Sequence, residues 1–138
     1  MLALDWRKAF DSVNVLSVLD ALRRAGIPAE FVEVIASIMR ERHFYVQDCG
    51  HQSADRLQNS GITQGCALSP LLFITVMTVL MHDATALLGQ PAQTAYAQGH
   101  LADLAYADDT LILGVSPSFV SEFLAAVCTI GMNYGMSL

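Results

Sequence analysis

Residues 105–110, with the sequence AYADDT, carry two adjacent carboxylates between two short apolar runs. The runs, residues 101–106 and 111–115, have the length of strands, so the stretch predicts two strands joined by a tight turn with the acids at its tip. Neighbouring carboxylates repel each other, and a turn that presents both is destabilised unless a cation neutralises them. Taken alone, the pair is explained more simply as a polar turn without a ligand.

The length and charge of the chain limit what kind of protein this is. The 138 residues suffice for one domain, and the composition, 54% hydrophobic and 14% charged, indicates a well-buried core or absent partner domains. A net charge of −6 argues against a surface that binds nucleic acid by charge alone. Every Lys and Arg lies within residues 7–56, so the second half has no Lys or Arg to contact phosphate.

Cysteine and leader patterns predict an intracellular protein, in the nucleus or the cytoplasm. Cys49, Cys66 and Cys128 are odd in number and widely spaced, and the four histidines show no ligand spacing, which argues against disulfides or a zinc site. The first residues run directly into Asp5, so we expect no signal peptide. The apolar run 71–81 is too short for a membrane span and predicts a buried helix, with no membrane partner.

Periodicity and chain-breaking residues predict an alternation of helices and strands. The order is strand, two helices, hairpin, helix, hairpin, helix, which is typical of an α+β fold with an antiparallel sheet of short strands and helices packed on one face. A strand is predicted over residues 1–5, followed by a helix capped by Asn14 and closed by Gly26 and Pro28, and by a second helix from about Ala29 with Phe31, Val34, Ile35 and Ile38 on one face.

The middle of the chain predicts a strand over 43–49 that pairs with a weaker one over 53–62, and then a helix from the N-cap Ser69 to about Leu88. An exposed connection is predicted over 90–99, followed by the double-acid hairpin. The last predicted helix is opened by Pro117, with Phe119, Val120, Phe123, Leu124 and Val127 facing inward.

The acids suggest a metal site if the first strand lies beside the hairpin. Asp5 then approaches Asp108 and Asp109 at one end of the sheet. Carboxylates without His or thiolate favour Mg²⁺, or Mn²⁺ as an alternative, and leave room for water and phosphate oxygens. Two such ions about 3.5–4 Å apart can activate an attacking oxygen and stabilise a leaving one in phosphoryl transfer. The spacing of these acids along the sequence is by itself weak evidence for a metal site, because many acidic α+β proteins have it.

Three segments around the acids resemble the palm motifs of one enzyme family. Residues 4–13 (LDWRKAFDSV), 61–73 (GITQGCALSPLLF) and 106–109 (YADD) resemble the first, second and third palm motifs of reverse transcriptases, in the family's order. The KAFD and QGxxLSPLLF wording is most similar to the non-LTR retrotransposon and group II intron enzymes. The resemblance covers nearly the whole chain and implies the palm of an RNA-directed DNA polymerase, whose partners are an RNA template, a DNA primer and a dNTP.

The resemblance also implies a role for individual residues. Asp5 and Asp108 would ligate two Mg²⁺ ions, with Asp109 beside them. Phe10 matches the aromatic gate under the sugar of the incoming nucleotide, where a planar ring would clash with a 2′-hydroxyl. Gln64 and Gly65 match the loop that contacts the incoming nucleotide and the template, and glycine suits a backbone that approaches a ligand closely.

The family's fingers region precedes the first motif, and its thumb follows the palm. Only four residues precede Asp5, and residues 134–138 resemble the start of the next palm motif, so we expect residues 1–138 to be a partial palm with fingers and thumb absent. The uncovered faces should then be apolar and prone to self-association. The alternatives are a catalytically inactive remnant or recruited interaction module and, disfavoured by Phe10 and the Gln64-Gly65 loop, the palm of an RNA-templated RNA polymerase.

Overall fold

A computed structural model describes all residues from 1 to 138. It contains helices and small antiparallel sheets, a mixture compatible with the predicted α+β class. The elements are β1 (Leu2–Asp5), α1 (Ala9–Ser12), α2 (Val15–Arg24), α3 (Ala29–Met39), β2 (His43–Phe44), β3 (Gln47–Asp48), β4 (His51–Gln52), β5 (Arg56–Leu57), α4 (Ser69–Ala86), α5 (Gln90–Ala97), β6 (Leu101–Tyr106), β7 (Asp109–Gly114) and α6 (Pro117–Asn133).

The largest sheet has three antiparallel strands in the order β1-β7-β6. Tyr106 pairs with Asp109, so β6 and β7 form a hairpin whose two-residue turn is Ala107-Asp108. The predicted hairpin is therefore confirmed, with Asp108 in its turn, while Asp109 is the first residue of β7. β1 lies beside β7, as the metal-site hypothesis required, and its last residue, Asp5, pairs with Asp109.

Side chains alternate between the two faces of this sheet. Leu4, Thr110 and Ile112 point to one face and are buried, while Leu104 and Tyr106 on the other face are exposed. The buried face meets the helices, with α6 against β7 and α5 against β6. The helices therefore cover one side of the sheet, and the side that carries Asp5 and Asp109 stays open to solvent.

Helix α4 is the centre of the core. It contacts both α2 and α6, and its buried side chains include Phe73, Val76 and Leu80. Its 18 residues, with a mean hydropathy of 1.3, are long and apolar enough to cross a membrane by those two measures alone, and 50% of them are buried inside the protein. Burial between α2 and α6 accounts for this composition, in line with the buried helix predicted around residues 71–81.

Ser69 begins α4 as its first helical residue, so its prediction as the N-cap is wrong. The cap position is occupied by Leu68, which makes no side-chain cap. The Ser69 hydroxyl instead donates to the carbonyl oxygen of Thr63 at 2.5 Å, in the preceding loop. The serine hydroxyl therefore bonds to the loop instead of capping the helix, and this bond connects the first turn of α4 to the loop.

Residues 90–97 form helix α5, so the prediction of an exposed connection over 90–99 is wrong. Gly89 occupies the N-cap position and Pro91 lies in the first turn, where its missing N–H is tolerated. The helix packs through two small side chains, Ala92 and Ala95, which are both buried. Alanines leave almost no apolar periodicity, so the sequence pattern of Gln and Thr alone predicts a loop.

The region between α3 and α4 folds back on itself as a narrow hairpin. The predicted pairing is confirmed, but each long strand is reduced to short pieces, with β2 pairing with β5 and β3 with β4. Cys49 and Gly50 have φ of 44° and 83° and form the tight turn at its end. Every strand residue is exposed, so no buried face extends the strands.

Helices α2 and α3 agree with their predicted starts. The Asn14 side chain accepts a hydrogen bond from the Leu16 N–H at 2.8 Å and caps α2. The predicted apolar face of α3 exists but lies largely in solvent, since Phe31 is 64%, Val34 55% and Ile38 55% exposed. We call these three residues the α3 stripe.

Candidate active site

Two of the predicted acids form a pair across neighbouring strands. Asp5 ends β1, Asp109 begins β7, and the two are directly opposite each other on the exposed face of the sheet. Residues opposite each other have Cβ atoms about 4.5–5.5 Å apart, and like charges in such a pair are destabilising. Neither acid forms an ion pair, since the protein's ion pairs involve Asp83 and Asp55.

A buried hydrogen bond lies directly behind this pair. Trp6 follows Asp5, Thr110 follows Asp109, and the indole Nε1–H of Trp6 donates to the Thr110 hydroxyl oxygen at 3.0 Å. Both residues are almost completely buried. The bond connects β1 to β7 next to the two acids and so supports their register, a positioning role that the sequence did not reveal.

Asp108 lies in the turn rather than in a strand. The residue before it, Ala107, has φ of 52°, a left-handed conformation that is strained for any residue with a Cβ. Lys8, which precedes the short helix carrying Phe10, has a similar φ of 50°. Backbone strain of this kind often accumulates at functional sites.

A pocket of about 440 Å³ joins residues from all three motif segments. It is lined by Phe10, Gln64, Gly65, Cys66, Ser69, Pro70 and Asp108. Its volume falls within the range of ligand pockets, about 300–1,000 Å³. We call it the Phe10 pocket, and it contains four of the six residues that the sequence singled out. The other two, Asp5 and Asp109, do not line it.

Phe10 is held by contacts on both its backbone and its ring. Its ring stacks on that of Phe73 with 4.3 Å between centroids and 17° between planes. Its carbonyl oxygen accepts a hydrogen bond from the Ile62 N–H at 2.6 Å. Phe73 is buried in α4, so the core helix orients one wall of the Phe10 pocket.

The loop formed by residues 61–66 supplies another part of the pocket wall. It starts at Gly61, whose N–H donates to the Val13 carbonyl at 2.8 Å. A Cβ on Gly61 would lie 2.7 Å from the carbonyl oxygen of Asp11, which only glycine avoids. Gly65 has the same φ of +85°, but a Cβ there would meet nothing within 4 Å. Gly65 therefore borders open space in the Phe10 pocket.

The donor set fits a hard divalent ion, although it is not a closed cage. No three His, Cys, Asp or Glu side chains are grouped closely enough to hold a metal ion by themselves. Mg²⁺ in phosphate-binding sites uses one or two carboxylates and completes its shell with water and substrate oxygens. The Asp5–Asp109 pair and the neighbouring Asp108 satisfy that requirement. Sharing of ions by Asp5 and Asp108 stays a prediction, because the register pairs Asp5 with Asp109.

The most strongly perturbed carboxyl lies away from the Phe10 pocket. Asp83 in α4 forms an ion pair and hydrogen bonds with Arg24 of α2, and the Tyr134 hydroxyl donates to it at 3.0 Å. Arg24 holds the pKa of Asp83 at about 2, while burial and the neighbouring carboxylate raise the pKa of Tyr134 to about 12. All three polar groups have partners, so the cluster joins α2, α4 and the end of α6.

A larger cavity, about 520 Å³, lies outside the motif segments. It is bordered by α2 and α4, and its lining residues include Arg24, Ile74 and His82. It shares no residue with the Phe10 pocket and contains none of the six predicted site residues. The Phe10 pocket is therefore the better candidate for the active site, because four of the six predicted site residues line it.

The similarity to known proteins extends over the residues of the candidate site. The chain matches the family model described as reverse transcriptase (RNA-dependent DNA polymerase) over residues 1–138. The Retrovirus-related Pol polyprotein from type-1 retrotransposable element R2 of Popillia japonica is 32% identical over 138 residues, all of this chain and 22% of that protein. Its counterpart in Nasonia vitripennis is 34% identical over 112 residues, 80% of this chain and 10% of that protein.

A third relative is the Retrovirus-related Pol polyprotein from type-2 retrotransposable element R2DM of Drosophila melanogaster, which is 31% identical over 109 residues, 79% of this chain and 10% of that protein. The chain thus spans 10–22% of the length of these relatives. Their R2 origin confirms the predicted similarity to non-LTR retrotransposon enzymes. Reverse transcriptase domains generally use divalent metal ions. With every residue inside the family match, the chain belongs to the reverse transcriptase (RNA-dependent DNA polymerase) family.

Proposed function

We propose that residues 1–138 are part of a polymerase palm that transfers a deoxynucleotide from a dNTP to the 3′-hydroxyl of a primer on an RNA template. The observation that carries the proposal is the Phe10 pocket. Phe10, Gln64 and Asp108 are far apart in the chain, one from each motif segment, and they line one pocket of nucleotide-compatible size. The Asp5–Asp109 pair lies at the adjoining end of the sheet, since Asp109 directly follows Asp108.

Asp5, Asp108 and Asp109 are the residues that would hold two Mg²⁺ ions, with Mn²⁺ as an alternative. When bound, such ions activate the attacking oxygen and stabilise the leaving oxygen in phosphoryl transfer. The chain's own contribution is to keep unneutralised carboxylates at one end of a sheet. The buried Trp6–Thr110 hydrogen bond supports this arrangement by joining β1 to β7 beside the acids.

Phe10, Gln64 and Gly65 would form the nucleotide site. The Phe10 ring, fixed by stacking on Phe73, would lie under the sugar and exclude a 2′-hydroxyl. The open space beside Gly65 lets a nucleotide or a template base approach the backbone closely. This arrangement selects a deoxynucleotide over a ribonucleotide, which distinguishes the proposal from an RNA polymerase palm.

A non-catalytic remnant or interaction module is the second candidate, and two observations favour it. The acids do not form a three-ligand group, and no Lys or Arg lies beyond residue 56 to contact phosphate. A longer protein would supply such contacts through fingers and thumb regions. We propose the RNA template, the DNA primer and the dNTP as partners of that longer protein.

Primer extension tests the choice between the two. The chain is incubated with a DNA primer on an RNA template, one dNTP and Mg²⁺, and compared with Asp108→Ala and with the exposed-helix control Glu33→Gln. The proposal expects addition of one nucleotide by the wild type and by Glu33→Gln, and loss of that addition in Asp108→Ala. Equal signals from the wild type and Asp108→Ala would refute catalysis by this chain. In a parallel reaction a ribonucleotide replaces the dNTP, and faster addition of the ribonucleotide would favour the RNA polymerase alternative.

A further inference from the structure

Arg42 lies between α3 and the narrow hairpin and makes three side-chain hydrogen bonds. Its Nε–H donates at 3.2 Å to the carbonyl oxygen of Met39, and Met39 is the last residue of α3. One Nη donates to the Gly61 carbonyl at 2.7 Å, and the other donates to the Thr63 hydroxyl at 3.1 Å. The guanidinium therefore connects the end of a helix to the loop that forms a wall of the Phe10 pocket.

The charge of Arg42 has no acidic partner. Ion pairs in the protein involve Arg24, His43 and His82, and burial lowers the pKa of Arg42. Removing a guanidinium from water is unfavourable unless its donors are satisfied. Here carbonyl and hydroxyl oxygens satisfy them, and two of the three belong to the 61–66 loop. The burial of this charge is thus compensated mainly by bonds to the loop.

The bonded positions are those that determine where the pocket residues lie. Thr63 directly precedes Gln64, and its carbonyl oxygen also accepts the Ser69 hydroxyl of α4. The backbone carbonyl of Arg42 accepts the Gln58 N–H at 2.7 Å and closes the base of the hairpin. One residue therefore joins α3, the hairpin and the pocket loop.

We infer that Arg42 is a positioning residue that holds the 61–66 loop in the conformation in which Gln64 and Gly65 receive the nucleotide. The inference rests on the proposed function for the role of the pocket. The planar fork of arginine reaches Gly61 and Thr63 together, which a lysine ammonium cannot do with the same geometry. The loop needs such external support because Gly61 and Gly65 are both at φ +85° and give it little intrinsic rigidity.

Deoxynucleotide affinity tests the role at the pocket. The chain, Arg42→Gln and Arg42→Lys are titrated with a fluorescent dNTP in the presence of Mg²⁺. Arg40→Gln is the matched control, because Arg40 ends the same helix but is exposed. We expect Arg42→Gln to bind about tenfold more weakly, since one lost hydrogen bond to a charged group is worth roughly a factor of ten. Arg42→Lys should recover only part of this, and Arg40→Gln should match the wild type.

Amide hydrogen exchange tests the loop without any nucleotide. The Ile62 N–H, which bonds to the Phe10 carbonyl, reports opening of the 61–66 loop, and the buried Ile112 N–H in β7 reports global unfolding. In Arg42→Gln, exchange at Ile62 should accelerate about tenfold, while exchange at Ile112 should stay unchanged. Equal acceleration at both amides would mean a general stabilising role, and no acceleration at Ile62 would overturn the inference.

The two measurements separate failure of the inference from failure of the proposed function. If the wild type binds no dNTP, the proposed function fails for this chain, and the nucleotide role of Arg42 fails with it. If the wild type binds and Arg42→Gln binds equally well, only the inference fails. If Arg42→Lys restores the full dNTP affinity, or if Arg40→Gln weakens dNTP binding as much as Arg42→Gln does, then the positive charge and not the position of the guanidinium is responsible. Either result would overturn the inference.

Discussion

Gly61 and Gly65 show how the same backbone angle serves two purposes. Both have φ of +85°, but a Cβ at Gly61 would collide with the backbone of Asp11, whereas one at Gly65 would enter empty space. Gly61 is thus needed for folding of the loop. At Gly65 the missing Cβ leaves room for a ligand, if the proposed nucleotide binds there.

Gly65→Ala should therefore separate binding from stability. Gly26→Ala is the matched control, because Gly26 has φ of +80° and also meets nothing within 4 Å. Both variants should lose about 1–2 kcal/mol in the free energy of unfolding, the cost of a left-handed alanine. Only Gly65→Ala should also lose dNTP affinity, measured by titration with Mg²⁺. Equal dNTP affinity in the two variants would remove Gly65 from the nucleotide site.

The Asp5–Asp109 pair predicts a stability that depends on divalent ions. Asp109→Asn removes like-charge repulsion across β1 and β7, so its melting temperature without divalent ions should be slightly higher than that of the wild type. Adding Mg²⁺ should raise the melting temperature of the wild type more than that of Asp109→Asn. Glu33→Gln removes an exposed helical charge and should keep the wild-type response to Mg²⁺. A response that survives in Asp109→Asn would locate the ion elsewhere.

Among the elements, α2, α4 and the end of α6 are joined by a partly exposed polar cluster. Arg24 of α2, Asp83 of α4 and Tyr134 after α6 bond to one another, and Asp83 is the acceptor for both partners. α4 also contacts α2 and α6 through apolar side chains. The cluster therefore adds directional bonds to the apolar packing around the central helix.

Asp83 predicts a loss of stability in acid. Its folded pKa of about 2 lies below the unfolded value of about 3.9, so the unfolded chain binds more protons in between. The stabilisation by Asp83 is complete above about pH 4 and is lost as the pH falls through about 2. Asp83→Asn should be less stable than the wild type at pH 7, by denaturant unfolding, and the difference should shrink towards pH 2. Asp48→Asn, an exposed control, should show no such gap, and a constant gap would contradict this account.

The elements that the sequence predicted correctly are those with local signals. The Asn14 cap, Pro117 and the AYADDT turn each specify the backbone within a few residues. Helix α5 has no such signal because its buried contacts are two alanines, and Ser69 differs from its predicted cap position because its acceptor is in another segment.

The candidate site was predictable to a similar extent. The motif wording identified Phe10, Gln64, Gly65 and Asp108, which line one pocket. The contacts that support them, from Trp6 to Thr110 and from Arg42 to the 61–66 loop, join residues distant in sequence. Nothing local marks such pairs, and the pairing of Asp5 with Asp109 rather than Asp108 depends on strand register.

At the scale of the molecule, one chain combines an acidic charge with exposed apolar faces. The net charge is −6, and all Lys and Arg residues lie within the first 56. Besides the α3 stripe, Leu104 and Tyr106 are exposed on the open face of the sheet. Exposed apolar side chains therefore occur on α3 and on the open face of the sheet. Such surfaces are typical of faces that meet another domain or molecule.

The α3 stripe predicts self-association of the isolated chain. At concentrations on the order of tens of micromolar, where weak association becomes measurable, light scattering after size exclusion should give a mass above that of a monomer. Phe31→Glu should lower this mass, because it introduces a charge into the stripe. Leu16→Glu, at a similarly exposed position on α2, should not. A monodisperse wild-type monomer would contradict the prediction.

Protection of a thiol from alkylation shows whether the Phe10 pocket binds a dNTP with Mg²⁺. Cys66 lines the pocket, whereas Cys49 and Cys128 are free, exposed and outside it, so alkylation of the three can be compared in one sample by mass spectrometry. The account predicts that dNTP with Mg²⁺ slows alkylation of Cys66 alone, and that Asp108→Asn abolishes this protection. Alkylation of Cys66 at an unchanged rate in saturating dNTP and Mg²⁺ would contradict it.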